Sequence, residues 1–358
     1  MTLALITLPA EVRSVRNRCR SHKGGCRATA PASRLQDRSR TSLCPCPLHA
    51  AVGAAVALRY GSTDQMARHH FVSQFLLRNW ATDGRFVAYH FEPRANRVIE
   101  KADALVASAC QIPNLNTYFG VDASQRDFPE VGFFTPRVDT PAAKALQVML
   151  MNGVRALTPE QRADWARLLV SFGVRTPETL RQMGPIETRN AFKLVEASTR
   201  GPPDDERKVT AIIERNMPKF MRNFPLNIAM DICTGPAKLA KLVGMQWWIR
   251  RWPKSAILIG DRPLLTHPLA PYPCGIPLDN PSCLIALPIA PNAVFFASAH
   301  PKTKDKMRTM SLGKIVYAVN EQTILRSTIV YAADKSLASF VIPRVQGKAI
   351  GTWQPSKM

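Results

Sequence analysis

The sequence holds no two cysteines separated by two residues, no apolar run near the length of a membrane span, and few acidic side chains. Each absence removes a class of protein. Structural zinc modules need closely paired thiolates, and the spacing of Cys19, Cys26, Cys44 and Cys46 does not supply them. A membrane helix needs roughly 18–20 consecutive apolar residues, and none is present. Residues Met1 to Ala10 lack the positive start of a secretory signal. Gly-x-Gly-x-x-Gly, the Walker phosphate loop, His-Glu-x-x-His, Gly-x-Ser-x-Gly and the protein-kinase set are all missing. Those motifs seat phosphates on a helix start, hold zinc beside a general base, or raise a serine on a strained turn. Mechanisms of these kinds therefore have no visible vehicle.

The shortage of acid leaves a strong basic excess. Among 358 residues, 48 are Lys or Arg and 26 are Asp or Glu, a net charge of +22. Residues 1–65 account for +7 of it, with ten basic residues against Glu11, Asp37 and Asp64, and +15 falls on the remainder. Such a balance attracts polyanions, nucleic acid and acidic membrane surfaces included. The bland alternative is a solvated basic surface, because no dense basic run or basic–aromatic repeat follows Met66. The partner expectation is nucleic acid and no membrane.

Residues 1–65 show no sustained hydrophobic period and are rich in Arg, Ala, Ser, Pro and Gly. Such a stretch cannot bury enough apolar surface to offset its ordering entropy. It reads as a disordered basic extension, or as sequence upstream of a true start at Met66, and the second reading is preferred because organised sequence begins there. Residues 11–40, Arg- and Ser-rich and acid-poor, imitate an organellar transit peptide. Cys110, Cys233, Cys274 and Cys283 are scattered over the rest, the usage of reduced thiols in a cytoplasmic protein.

After Met66, two adjacent histidines precede Phe71, Val72, Phe75, Leu76 and Trp80, whose spacing predicts helix. Thr82-Asp83-Gly84 predicts a turn. Arg85 to Phe91 alternates, with Val87, Tyr89 and Phe91 on one face of a strand, and turns at Glu92 to Asn96 into a hairpin partner at Arg97 to Ile99. Residues 102–136 read as irregular. Three Thr-Pro steps, at Thr140, Thr158 and Thr176, then mark helix starts: a capping hydroxyl followed by a proline whose fixed φ suits the first turn. Gln161 completes a capping box with Thr158, Trp165, Leu168, Leu169 and Phe172 form a core-facing stripe, and Asn152-Gly153 ends the preceding helix. More helix is expected between Asp204 and Met230 and from Ala237 to Val243. The stretches Gln246 to Arg250, Ala256 to Ile259, Cys283 to Ala286, Ala293 to Ser298 and Thr328 to Tyr331 are short β-like runs. Proline-rich turns such as Pro268 to Pro281 separate several of them, and Lys314 to Asn320 and Leu337 to Ile342 are open between helix and strand. Strands, then helices, then strands predict an α+β fold, mainly antiparallel β-sheet with a helical insertion in the middle of the chain. The expected domain is 66–355, with a helical subdomain at about 139–243.

Chemistry concentrates at His69, His70 and Asp261. A neutral imidazole ligates transition metals and serves as acid or base near neutral pH. Adjacent side chains diverge on a strand or helix, so one histidine would act and the other support it. The bland alternative is a histidine bonded to a backbone carbonyl. Asp261 follows an apolar run, a common place for a catalytic or metal-binding carboxylate, and otherwise a turn aspartate accepting backbone N–H groups. His267, close behind, is a candidate companion to Asp261. Asn114 and Asn116 share residue types with the His–Asn sets of ββα-metal nucleases, but the zinc-binding cysteine pairs and the second downstream histidine are missing.

His69, His70, Val72, Leu76 or Leu77, Arg78 and Trp80 match a His-His-x-Val-Pro-x-x-x-Leu-x-x-Phe pattern, and Ala256 to Ile259 followed by Asp261 and Pro263 matches an apolar strand running into Ser-Asp-x-Pro. Leu287-Pro288-Ile289-Ala290-Pro291 and the Arg175-Thr176-Pro177 step fit the same source. In these features the chain resembles a bacterial domain of unknown function, DUF family 4238, over nearly all of its organised length. It departs from the pattern at Ser73, where the family usually has Pro, at Gly260, which replaces Ser, and at Trp80, which replaces Phe. The resemblance implies an uncharacterised function and points to the same three residues. The first expectation is a metal-dependent hydrolase acting on nucleic acid, with His69, His70 and Asp261 as catalytic residues and ligands of a divalent metal ion. The alternative is a non-catalytic binding protein, of a bacterial stress or phage-defence system.

Overall fold

The computed structural model describes residues 67–183, 222–268, 280 and 282–349. The expected extension, the helix expected from Asp204 as far as residue 221, and most of the proline-rich turn after Pro268 lie outside the described residues.

The architecture is α+β, and the described residues form three antiparallel sheets. β1 (Arg68–His70) pairs with β4 (Gln111–Pro113) as a small two-stranded sheet. β2 (Arg85–Glu92), β3 (Arg97–Leu105), β6 (Ile259–Gly260) and β10 (Ile329–Ala332) form a sheet in the order β3-β2-β10-β6. β5 (Gln246–Arg251), β7 (Leu265–Thr266), β8 (Leu284–Ala290) and β9 (Ala293–Ser298) form the third, in the order β5-β9-β8-β7. β6 and β7 are neighbours in sequence but belong to different sheets, so Asp261-Arg262-Pro263 is the step from one sheet to the other.

The expected hairpin is present and longer than anticipated, since β3 runs on to Leu105. Asp83 and Gly84 take positive φ at its approach, as a tight turn requires, and the glycine does so at no steric cost. Alternation along β2 divides the core. Phe86 and Ala88 join the main apolar cluster, while Val87 and Tyr89 join a smaller one with Leu258, Ile324, Val330, Val341 and Val345. β8 and β9 are apolar almost throughout because both of their faces are covered.

Helices fill the middle. Short α1 (Gln74–Leu77) continues as a 3₁₀ turn, Arg78–Trp80. Residues 102–136 are more ordered than the sequence suggests: besides β4, a π-helical stretch, Phe128–Asp139, leads straight into α2 (Thr140–Asn152). Thr140 therefore continues a helix and caps nothing, a correction to the Thr-Pro reading. The other two steps behave as expected. Thr158 and Gln161 form the capping box of α3 (Pro159–Val174), and the Thr176 hydroxyl accepts from the Thr179 N–H at 3.2 Å before helical residues 177–183. Trp165, Leu168, Leu169 and Phe172 are buried, and Gly153 ends α2 with φ 79°. Residues 222–234 are helical and α4 (Pro236–Gly244) follows. Beyond the sheets lie α5 (Thr303–Thr309), α6 (Leu312–Arg326) and α7 (Ala338–Ala349). The two stretches left open between helix and strand are therefore helices.

Ala256 to Leu258 is not sheet, although it is apolar enough. Its backbone groups are taken by other partners. The Asn320 amide donates to the Ala256 carbonyl at 2.7 Å and accepts from the Leu258 N–H at 2.9 Å. The N–H groups of Ala256 and Ile257 bond the Pro291 carbonyl at 2.8 Å. The Ile257 carbonyl accepts from the Trp80 indole at 2.8 Å. This last bond ties the aromatic end of the first signature stretch to the apolar run of the second.

Candidate functional site

β1 carries the two histidines, and strand alternation sends them opposite ways. His69 is 6% exposed. Its Nδ1 accepts the Asn116 N–H at 3.1 Å, which places the proton of the neutral ring on Nε2. Burial lowers its pKa, against an upward pull from the Glu130 and Asp127 carboxylates. His70 is half-buried. Its Nε2 lies 3.0 Å from the Ala107 carbonyl, which can only accept, so Nε2–H donates there. The Gln74 amide nitrogen lies 2.9 Å from the same Nε2 and 3.3 Å from Nδ1, and with Nε2–H given to Ala107 only Nδ1 can accept from it. Burial lowers this pKa too, and the bond to Ala107 opposes it.

Beneath β1 lies a charged group that sequence reasoning did not single out. Arg175, wholly buried at the end of α3, donates to the carbonyls of His70 (3.1 Å) and Phe71 (3.3 Å). It also takes both oxygens of Asp139, at 3.0 and 3.2 Å, and lies over the Phe134 ring. Ser73 donates to the same carboxylate at 2.7 Å. The hydroxyl at the position where the family pattern has proline is thus part of the Arg175–Asp139 pair. A buried guanidinium needs this many partners, because an unpaired charge in the interior costs several kcal/mol.

Asp261 is 9% exposed and accepts the Thr328 N–H at 2.9 Å, while its own N–H bonds the Ile329 carbonyl at 3.1 Å. It thereby fastens the step between the sheets to the start of β10. Burial raises its pKa to about 6, against the pull of the Thr328 N–H and of Lys348 on α7. Lys348 donates to the carbonyls of Ile324 (2.9 Å) and Ser327 (2.5 Å). A Cβ at Gly260 would run into the side chain of Ser327. The hydroxyl missing at Gly260 relative to the family pattern is therefore matched by one at Ser327, entering the same space from the C-terminal end of α6. The next residue, Arg262, pairs with Glu178. His267 does not accompany Asp261 in any described bond. Its N–H bonds the Leu284 carbonyl at 2.7 Å, and burial and Arg326 lower its pKa.

The two signature stretches thus meet through Trp80 and Ile257. A second link runs through Cys110, whose carbonyl accepts from Phe71 at 3.0 Å, whose Sγ lies 3.4 Å from the Tyr331 hydroxyl, and whose thiol is pushed up by burial and by Asp261. The acids whose fields reach His69 are Glu130 and Asp127. Among the described residues, no three His, Cys, Asp or Glu side chains are gathered so that they could hold a metal ion together.

An α+β protein of antiparallel sheets with two polar signature segments that meet is the class that these features define. The family described as "Protein of unknown function (DUF4238)" matches residues 68–336. The chain belongs to that family. No curated protein and no solved structure matches it. No helix of the described residues is long and apolar enough to cross a membrane.

Of the residues that matter here, Arg175 was visible only as part of the Arg-Thr-Pro resemblance, and Asn116 only as a residue type. Asp139, Glu130 and Ser327 carried no local signal. Their importance comes from chain segments that are distant in sequence.

Proposed function

We propose that this chain is a non-catalytic binding protein with a polyanionic partner of the nucleic-acid class. One observation carries the reading: each polar signature residue gives a side-chain bonding atom to the protein's own backbone. His70 is bound to Ala107 and braced by Arg175, His69 accepts from Asn116, and Asp261 accepts from Thr328. The signatures then define a scaffold, and the basic excess of +22 supplies the attraction to a polyanion. A bacterial, cytoplasmic setting goes with it, as in a stress or phage-defence system, and the buried thiols of Cys110 and Cys233 agree with a reducing compartment. Fluorescence anisotropy with labelled single- and double-stranded oligonucleotides tests it. Binding should weaken steeply and linearly in log–log form as salt rises. Failure to bind at low salt would sink the polyanion reading.

A second reading, the metal-dependent hydrolase with His69, His70 and Asp261 as catalytic residues and metal ligands, is favoured by one feature. Burial pushes the Asp261 carboxyl up to about 6, a shift of the kind found at functional sites. Incubation of nucleic acid with the protein and Mg²⁺ or Mn²⁺ decides between the two. Cleavage that disappears in both His69→Ala and Asp261→Asn would establish the hydrolase, and no cleavage leaves the binding protein.

A further inference from the structure

The turn after β4 holds two side-chain amide oxygens, Asn114 Oδ1 and Asn116 Oδ1, that are buried and lack a hydrogen-bond partner. Asn116 is fully buried. Its orientation is not open to exchange, because its Nδ2 donates at 2.7 Å to Glu130 Oε2, an atom that can only accept. Its Oδ1 is therefore a real acceptor left without a donor, a condition that costs about 1–3 kcal/mol when nothing answers it.

Two carboxylates, Glu130 and Asp127, stand nearby. The other oxygen of Glu130 accepts from Thr135 at 3.1 Å, and Asp127 accepts from Thr117 at 3.4 Å. The field of both carboxylates reaches His69, and that of Glu130 also reaches the buried Arg175 guanidinium. His69 is not the ligand here, since its Nδ1 already accepts from Asn116 and its Nε2 carries the proton. What remains is a set of oxygens: two amide oxygens two residues apart on a turn, and two carboxylates. Oxygen side chains at alternate positions of a turn, with nearby carboxylates, suit a hard divalent cation, which takes oxygen ligands and completes its shell with water.

We propose that the turn at Asn114 to Asn116 binds a hard divalent cation of the Ca²⁺ or Mg²⁺ class, through the Asn116 amide oxygen and the Glu130 carboxylate, with Asn114 and Asp127 contributing. This site does not depend on the function proposed above and uses neither His70 nor Asp261.

Isothermal titration of the chelator-treated full chain with CaCl₂ and with MgCl₂ tests it. The expected result is one saturable site with a dissociation constant below about 1 mM, with a matching rise in the thermal midpoint. Glu130→Gln keeps an acceptor for the Asn116 amide and so preserves the fold, but it removes a charge and should weaken binding by about tenfold or more. Asn116→Asp should melt lower without the cation and recover when it is added. Absence of saturable binding by the wild type would mean that the two oxygens hold water only and would overturn the proposal. Binding that is unchanged in both variants would overturn it as well, by placing the ion elsewhere.

Discussion

At the scale of single residues, the fully buried Arg175 is the most constrained group among those described around β1. Removing it leaves the partly buried Asp139 without its cation and frees the His70 and Phe71 carbonyls. Arg175→Met should cost on the order of 3–5 kcal/mol in denaturant unfolding. The double variant with Asp139→Leu should recover part of that loss, because it no longer strands a charge. Asp261 makes a prediction of opposite character. Its folded pKa of about 6 lies above the ordinary 3.8, so the native state holds the proton more tightly than the unfolded chain does. Stability should therefore fall as pH rises from about 4 to about 6, by up to about 3 kcal/mol. His69 and His70 act the other way. Burial lowers their pKa values below 6.5, so they withdraw stability as pH falls through that value. Subtracting the pH–stability curve of Asp261→Asn from that of the wild type isolates the carboxylate, and no difference between the curves would refute its shift. Gly260 gives a third test. Gly260→Ser forces a side chain against Ser327 and should destabilise by about 1–3 kcal/mol. Adding Ser327→Gly should restore most of it in thermal melts, if the two positions share one space.

At the scale of elements, α3 was the most legible part of the chain. Its capping box, its Pro at the first turn and its stripe at helical spacing are all local features, and each appears as expected. Leu169, 1% exposed, should cost on the order of 2–5 kcal/mol when replaced by alanine, measured by chemical denaturation. β9 was also legible to the residue, as a short run of β-forming and apolar side chains. The stretches Lys314 to Asn320 and Leu337 to Ile342 were not, because a short apolar run carries no period that separates helix from strand. Ala256 to Leu258 failed for a different reason. Its composition favours strand, but Asn320, Pro291 and Trp80 occupy its backbone, and no local pattern reveals distant partners. Thr140 shows the same limit: a capping hydroxyl is used only where a helix begins, and here the preceding π-helical stretch had already begun it.

At the scale of the whole molecule, we propose that residues 66–355 form the folding unit, with residues 1–65 dispensable and about 139–243 as a helical subdomain. A chain begun at Met66 should melt within about 1 kcal/mol of full length, by calorimetry or circular dichroism, and a larger loss would show that the leading segment packs on the domain. Class and family were determined by sequence alone, since α+β order is written in the succession of periods and the family in two short polar patterns. The same was true of the candidate residues His69, His70 and Asp261, which are conspicuous as polar groups set against apolar runs. Only the tertiary structure decided what those residues touch. The imidazoles are bonded to Asn116 and Ala107, the carboxylate to Thr328, and the two signatures are joined by Trp80 and Ile257. Hydrogen bonds between segments so far apart depend on how the sheets and helices pack, and packing is a property of the whole chain that no local stretch encodes.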